Sequence, residues 1–313
     1  MNQQLVTIIT PTYNRAHYLP ETIESVLSQN YLNIQYIVLD DGSTDDTPHI
    51  LARYKDRLRW ERHPNMGEAR TVNKGLRLAE GAYVCVVNSD DPILPGLVKT
   101  AVAFMEAQPD VLVAYPDWQR IDAASKPTGE VFRREYTYAQ MLREGVCLVG
   151  PGAFIRRAAL TLEPWRDPQY RYVSDLDYWL RLGLHGRFAR IPRVLATHRE
   201  HNESATVAER GEAMAAEHVQ MIERLYSRAD LPAYVQMARA ESLANMYYMA
   251  AAYCLPENYP ASRRYFQRSF ELAPLHYLEH PKRLLYLLSV HGVPAVIHRV
   301  LYQRWQALKM RAA

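Results

Sequence analysis

The apolar run Tyr83-Val-Cys-Val-Val87 leads into Asn88-Ser-Asp-Asp91, so two adjacent carboxylates follow a segment patterned for the interior. Neighbouring carboxylates that leave water repel each other and lose solvation, so their ionised form needs compensation. A divalent cation supplies it: magnesium-type ions take one or two protein carboxylates and leave their other positions to phosphates and water. Capping of the helix signalled by Pro92 and Pro95 accounts for the pair equally well, and residue type alone leaves both readings open. Two further polar clusters are Thr10-Pro-Thr-Tyr-Asn-Arg15 and Asp40-Asp-Gly-Ser-Thr-Asp45. In the second, Asp41 and Ser43 suit turn amides, and Ser43 or Thr44 suits the cap of a following helix.

The elements that must hold these groups alternate. Short β-rich runs cover residues 5–10, 36–40, 58–62, 83–87 and 111–115, and helical patterns lie between them at about 18–29, 68–79 and 96–108. That alternation predicts a Rossmann-like, mostly parallel central sheet flanked by helices. All three polar clusters then fall at carboxyl ends of strands, the edge where open α/β sheets bind ligands. Residues 117–134 read as a hairpin or excursion, because Ala123-Ala-Ser-Lys-Pro127 is turn-rich. A helix over 175–184 and two short strands, 188–191 and 194–198, complete this part. Beyond about Thr206 the pattern is helical to the end.

The motifs resemble a known family. Thr10–Arg15, Asp40–Asp45, Asn65-x-Gly67-x-Ala69-Arg70-x-x-Asn73-x-Gly75, Ala79-Glu-Gly81 and Ser89-Asp-Asp91 are similar, in order and spacing, to successive signatures of family 2 glycosyltransferases. The likeness covers about residues 5–205. It implies a GT-A fold over residues 1–206, with a nucleotide-sugar-binding half (1–115) and an acceptor-binding half (116–206), followed by an all-helical region (207–313). It also implies nucleotide contacts from Pro11, Thr12, Tyr13, Arg15, Asp41, Arg70 and Asp90, with Asp41 accepting from the base edge, commonly uracil. Asp91 would ligate a Mn2+ or Mg2+ ion bridging the diphosphate. Asn88 departs from the family pattern, whose metal motif often opens with Asp.

In the second half, Val173-Ser-Asp-Leu-Asp-Tyr-Trp-Leu-Arg-Leu182 resembles the family's acidic segment, which makes Asp175 the implied catalytic base with Asp177 close by. Trp179 and Leu180 read as core. Thr197-His-Arg-Glu-His-Asn-Glu-Ser204 resembles the Arg-x-His-x-x-Ser segment, with Arg199, His201 and Ser204 matching and His201 a further metal or diphosphate contact. The implied chemistry is inverting transfer from a nucleoside-diphosphate sugar to a glycan or lipid-linked hydroxyl. A carboxylate takes the acceptor's proton, and a cation stabilises the departing diphosphate. A nucleotidyltransferase on a similar fold would place a glycine- and base-rich loop after the first strand, and Pro11–Arg15 contains no glycine. A binding module without turnover would lack Asp91 or Asp175.

Composition narrows the partners. A net charge of +3 over 313 residues is too small to imply nucleic acid. The three cysteines, Cys85, Cys147 and Cys254, lack metal or redox spacing and predict a reducing cytoplasm. A strand pattern within a few residues of Met1 predicts no signal peptide, and no apolar run approaches the ~20 residues of a spanning helix. From Pro281 onward there are Lys282, Arg283, Arg299, Arg304, Lys309 and Arg311 but no Asp or Glu. That segment suits either a solvated face over core leucines or peripheral contact with an anionic inner membrane face. Ala261, Phe266, Phe270 and Pro274 are spaced like part of one tetratricopeptide unit, which reads as a packed helical pair because a solenoid needs about three.

Overall fold

Strand β1 (Val6–Thr12) lies at the middle of the parallel part of the sheet, paired with β2 (Ile34–Asp40) on one side and β4 (Tyr83–Val86) on the other. The computed structural model describes residues 3–201, 211–255 and 258–275. Beyond β2 lies β3 (Arg59–Arg62), also parallel. Beyond β4 the pairing turns antiparallel through β7 (Phe154–Arg156) to β5 (Val111–Ile121) and β6 (Pro127–Phe132), and β8 (Arg187–Arg199) runs parallel to β5. The strand order is therefore β3-β2-β1-β4-β7-β5-β6. Strand order reverses between β1 and β4, which makes a crevice at their carboxyl ends.

Helices α1 (Leu19–Leu27), α2 (Thr47–Ala52), α3 (Glu68–Leu78) and α4 (Leu97–Glu106) connect these strands. On α1, Leu19, Ile23 and Val26 recur at helical spacing and are buried. With Leu97, Val98, Ala101 and Met105 of α4 they pack on Val6, Ile8, Val38 and Cys85 of the sheet. Cys85 is fully buried and serves as a small core residue.

Residues 117–134 form a hairpin, one of the two sequence readings: β5 runs to Ile121 and pairs antiparallel with β6 across the turn closed by Asp122 N and Lys126 O, and Trp118–Ile121 also pair with β8. Other elements differ from the sequence expectation. The two short strands are one strand, β8. Pro116 pairs with Ile191 and Asp117 with Val194, so Pro192 and Arg193 bulge out where proline offers no amide for the ladder. Two further elements, α5 (Tyr138–Glu144) and β7, were not expected at all. Neither Ser43 nor Thr44 caps α2, whose N-cap is Asp46. α6 (Ser174–Leu182) carries the acidic segment, and Trp179 and Leu180 on it are buried.

The chain divides into two compact units, Met1–Met141 with Val146–Ser204, and Leu142–Gly145 with Ala205–Ala313. The second unit contains α7 (Glu212–Tyr226), α8 (Ala233–Met237), α9 (Arg239–Tyr253) and α10 (Tyr259–Leu272). Ser262 near the start of α10 donates to Ala251 O near the end of α9, and Ser269 at the far end of α10 donates to Ala244 O. The pair is therefore antiparallel, with Ala261 and Phe266 of the repeat-like spacing fully buried. Among the described residues no helix is long and apolar enough to cross a membrane. Ser204 and the basic segment from Lys282 to Arg311 lie outside the described residues.

Candidate functional site

The loops after β1 and β2 are fastened together at the crevice. Asn14 has a left-handed backbone (φ 52°), and its Oδ1 accepts from Thr44 N at 2.8 Å. In return Asn14 N donates to Ser43 Oγ (2.9 Å), and Ala16 N donates to Asp45 Oδ2 (3.0 Å). Ser43 Oγ and Asp45 Oδ2 thus accept from amides of the neighbouring loop, Thr44 donates to Asn14, and Asp45 Oδ1 also accepts from Thr47 N at the start of α2 (3.0 Å). This zip holds Arg15 at the switch point, where its Nε reaches Asp90 Oδ2 at 3.4 Å.

The acidic loop after β4 is held from two sides. Thr22, Ser25 and Gln29 form a polar stripe along α1 and beyond its end, at the i, i+3, i+7 spacing of one helix face. Thr22 Oγ1 donates to Ser89 O, Ser25 Oγ accepts from Ile93 N, and Gln29 Nε2 donates to Leu94 O. From β8, Thr197 Oγ1 donates to Pro92 O (2.6 Å) and Leu195 O accepts from Leu94 N (2.9 Å).

This clamp gives the two carboxylates different environments. Asp91 is 3% exposed, and its Oδ1 accepts from the buried Arg199 N at 2.7 Å while Oδ2 accepts from Asn88 Nδ2 at 3.0 Å. Asp90 presents Oδ2 to both Arg15 and His201, whose Nε2 lies 3.1 Å away. Burial alone would raise the Asp90 pKa, but the His201 hydrogen bond and the Arg15 charge overcome it and hold the carboxyl below its usual range. The expectation that Asp91 ligates an ion therefore meets a carboxylate already engaged on both oxygens. Asp90 is the one that shares its oxygen with a potential ligand. Asn88, the departure from the family pattern, is a hydrogen-bond donor to Asp91.

Arg199 organises this region. Its side chain is fully buried; Nε donates to Asp90 O (2.8 Å), Nη1 to Ser125 Oγ (2.9 Å) and Nη2 to Glu21 (2.7 Å). The guanidinium also lies 4.8 Å from the centre of the Tyr18 ring, which in turn sits 4.8 Å from the His201 ring.

The remaining nucleotide-side residues are placed as follows. Pro11 and Thr12 end β1 buried, and Tyr13 is 45% exposed at the crevice. Asp41 binds the loop before α3, with Oδ1 accepting from Met66 N (2.7 Å) and Oδ2 from Gly67 N (3.0 Å). His63, unremarked in the sequence, approaches Asp41 Oδ1 at 3.4 Å. Gly42 at this turn has φ +77°, and a Cβ on it would stand 2.7 Å from Asn65 N. Arg70 is exposed and donates back to Met66 O, so among the described residues its partner is its own helix's entry loop rather than the acidic pair.

Asp175 lies in the first turn of α6, half-buried, with Oδ1 accepting from Leu176 N at 2.7 Å. Asp177 is buried and takes a two-pronged ion pair from Arg181 (3.0 and 2.7 Å), which fixes it as part of the helix's packing. Cys147 as a residue is exposed, yet its Sγ turns inward to donate to Val149 O (2.9 Å). Desolvation, then the nearby Asp175 charge, push that thiol well above its usual pKa.

The fold and the site define an α/β protein that gathers ionised and basic groups at a sheet switch point, and comparison with known proteins places it. Residues 7–162 match the profile of Glycosyl transferase family 2. The uncharacterized glycosyltransferase RP339 of Rickettsia prowazekii is 29% identical over 190 residues, which is 56% of this chain and 58% of that one. The chain therefore spans under two thirds of that relative's length. Among solved structures, S. aureus TarS 1-349 in complex with UDP-GlcNAc superposes with a TM-score of 0.64 at 19% identity, covering 87% of this chain and 82% of that one. The mannosyltransferase PcManGT from Pyrobaculum calidifontis, in complex with GDP-Man and Mn2+, gives 0.56 at 19% identity over 96% and 88%. The chain belongs to glycosyl transferase family 2 and has the GT-A fold.

Proposed function

We propose that this protein is an inverting glycosyltransferase that moves a sugar from a nucleoside diphosphate to an acceptor hydroxyl in glycan or polysaccharide synthesis. The convergence of Arg15, Asp90 and His201 at the β1/β4 switch point carries this reading, because it puts a cation, an ionised carboxylate and an imidazole where open sheets bind ligands. A UDP-sugar is the favoured donor, in keeping with the UDP-GlcNAc complex of TarS.

The donor set fits a divalent ion. Carboxylate oxygen suits Mg2+ and Mn2+, and an imidazole beside it favours Mn2+. Asp90 and His201 would hold the ion; Asp91, our first expectation from the family motif, would instead keep that loop in shape. Among the described residues no three His, Cys, Asp or Glu side chains converge as ligands, so diphosphate oxygens and water would complete the coordination. When bound, the ion would offset negative charge on the departing diphosphate. Arg15 adds a fixed positive charge at the same place. Tyr13, Pro11 and Thr12 line the nucleotide, and Asp41 shapes the base pocket through the 63–67 loop while keeping lone pairs for the base edge. Asp175 accepts the proton of the attacking hydroxyl, since an alcohol is too weak a nucleophile without a base in reach. One base and one displacement give inversion at the anomeric carbon. The work takes place in the cytoplasm, where an acceptor on the inner membrane face meets the basic C-terminal segment.

Diphosphate release from a panel of UDP-, GDP- and dTDP-sugars, with and without Mn2+, tests this reading. Release from one donor, dependent on Mn2+ and abolished in Asp90→Ala, is expected. Metal-independent turnover, or an active Asp90→Ala protein, refutes the site.

A further inference from the structure

Two residues of the 65–75 motif, Asn73 and Gly75, take no part in the nucleotide-side contacts described above. Gly75 lets α3 lie close on β1, because a Cβ there would stand 2.4 Å from Ile9 Cγ2. Asn73 bonds to a residue 93 positions along the chain: its Nδ2 donates to Arg166 O (2.7 Å) and its Oδ1 accepts from Arg166 N (3.1 Å). Both ends of one amide thus serve one backbone unit, as a neighbouring strand would. Arg166 Nη1 also donates to Glu68 Oε1 in the first turn of α3 (2.6 Å), so α3 holds this residue at two points.

The same segment is held from α6. Arg181 Nη1 donates to Pro164 O and Nη2 to Trp165 O (2.9 Å), while the guanidinium also grips Asp177 one turn earlier. Three successive carbonyls, of Pro164, Trp165 and Arg166, therefore accept from side chains of α6 and α3. Residues 163–166 lie outside helix and strand, so their backbone groups need such partners. Glu163, buried beside them, has Oε1 2.8 Å from His185 Nε2 and Oε2 3.5 Å from Arg181 Nη1. Trp165 Nε1 donates to Leu160 O (2.8 Å), and Arg77 of α3 lies 5.9 Å from the centre of the Trp165 ring. Residues 164–166 thus bridge α3, whose entry loop Asp41 holds, and α6, whose first turn carries Asp175. Beyond its desolvation, the thiol of Cys147 feels the charges of both Asp175 and Arg166, so the bridge passes close to the proposed base.

Resting on the glycosyltransferase reading, we propose that Asn73 and Arg181 are positioning residues for the reaction: acting through residues 164–166, they set where Asp175 stands relative to the donor. On its apolar side α6 meets β8 through Trp179, whose ring lies edge-on to Phe188 at 6.0 Å between centres. Apolar contact is non-directional and leaves a helix able to tilt. Guanidinium bonds to carbonyls that are themselves fixed supply the missing direction. Asp175 and Arg181 stand about 9 Å apart along the helix axis at ~1.5 Å per residue, so a tilt of about 6° carries the carboxylate by ~1 Å. A displacement of that size can cost a rate ~10²-fold. Nucleotide affinity is spared, because α3 stays where Gly75 and Asp41 hold it.

Asn73→Ala and Arg181→Lys in the full chain test this; lysine keeps the charge beside Asp177 but cannot serve two carbonyls and a carboxylate at once. Diphosphate release is followed with Mn2+ and whichever UDP-, GDP- or dTDP-sugar the parent turns over. In each variant kcat should fall by about 10-fold or more, with donor KM and calorimetric UDP affinity within about 3-fold of the parent. In an Asp175→Asn background the same substitutions should lower kcat by less than about 2-fold further, since a residue that acts through the base has nothing left to position. Hydrogen exchange read by mass spectrometry should speed by about 10-fold or more in peptides covering residues 174–182 and stay unchanged in β1 and β2. Exchange in β1 and β2 also reports whether a variant is folded, and Arg181→Lys decides the outcome if Asn73→Ala is not. Parental kcat in both variants, a rise in KM that accounts for the loss, losses that multiply with that of Asp175→Asn, or parental exchange in α6 overturns the proposal. A parent that turns over no nucleotide sugar sinks the glycosyltransferase reading and this one with it, whereas parental exchange in the α6 of variants of an active parent sinks this one alone.

Discussion

Replacing Asp91 by alanine separates a structural carboxylate from a metal ligand. In the folded protein Asp91 Oδ1 accepts from the amide of Arg199, and that amide is buried with the rest of the residue. Removing the acceptor strands this N–H and loses a hydrogen bond to a charged group, for a combined cost of about 2–4 kcal/mol. The second donor, Asn88 Nδ2, belongs to an exposed residue and turns to water at little cost. For a chain with units of this size, the loss lowers the melting temperature by roughly 4–16 °C. Asp90→Ala differs in what else it removes. His201 is buried and Arg15 about one-fifth exposed, so this variant also loses stability, by about 1–3 kcal/mol. It should in addition lose Mn2+-supported UDP binding by more than the ~10–100-fold that removing a supporting residue costs. Circular-dichroism melts and titration calorimetry with UDP and Mn2+ read the two quantities. An Asp91→Ala protein that melts like the parent while losing Mn2+-dependent UDP binding would refute the reasoning and return the ligand role to Asp91.

The other expectations concern the base, a titration and a turn. Asp175→Asn should bind UDP as the parent does, because it lies off the nucleotide loops, but lose transfer by about 10²–10⁴-fold; unimpaired transfer would exclude it as base. For His198, desolvation lowers the pKa, but the Asp91 carboxylate and then the Asp90 charge outweigh it, so the group should titrate above 6.5 by NMR. A raised folded-state value stabilises the protein below pH 6.5, and this contribution fades as pH rises through the folded pKa; in Asp91→Asn the value should fall. Gly42→Ala must adopt φ +77° and press on Asn65 N, so it should destabilise by about 1–3 kcal/mol and weaken UDP binding by displacing the loop that Asp41 holds.

Much of this was open to reading along the chain. Hydrophobic runs with period two or longer helical spacing located β1 to β4 and the helices between them, because an apolar stripe has to face the core whatever the neighbours are. The motif order placed Arg15, Asp41, Asp90 and Asp91 on one edge of the sheet, since strand ends in a parallel sheet share an edge. The polar second half was harder. Residues 117–134 left hairpin and excursion both open, because the strand character of Trp118 to Ile121 comes from partners on β6 and β8, and β7 is three residues long with no periodicity to detect. His198 and Trp118 meet only because β5 and β8 pair in register.

What only the tertiary structure decided is which donors surround Asp90 and which surround Asp91. By residue type the two are interchangeable. The donor that occupies Asp91 comes from Arg199, 108 residues away, and the imidazole that reaches Asp90 comes from His201 on the same distant segment. A carboxylate's role is set by which donors and charges surround it, and those arrive through folding; the chain's own order determines only that two carboxylates stand at the end of a central strand.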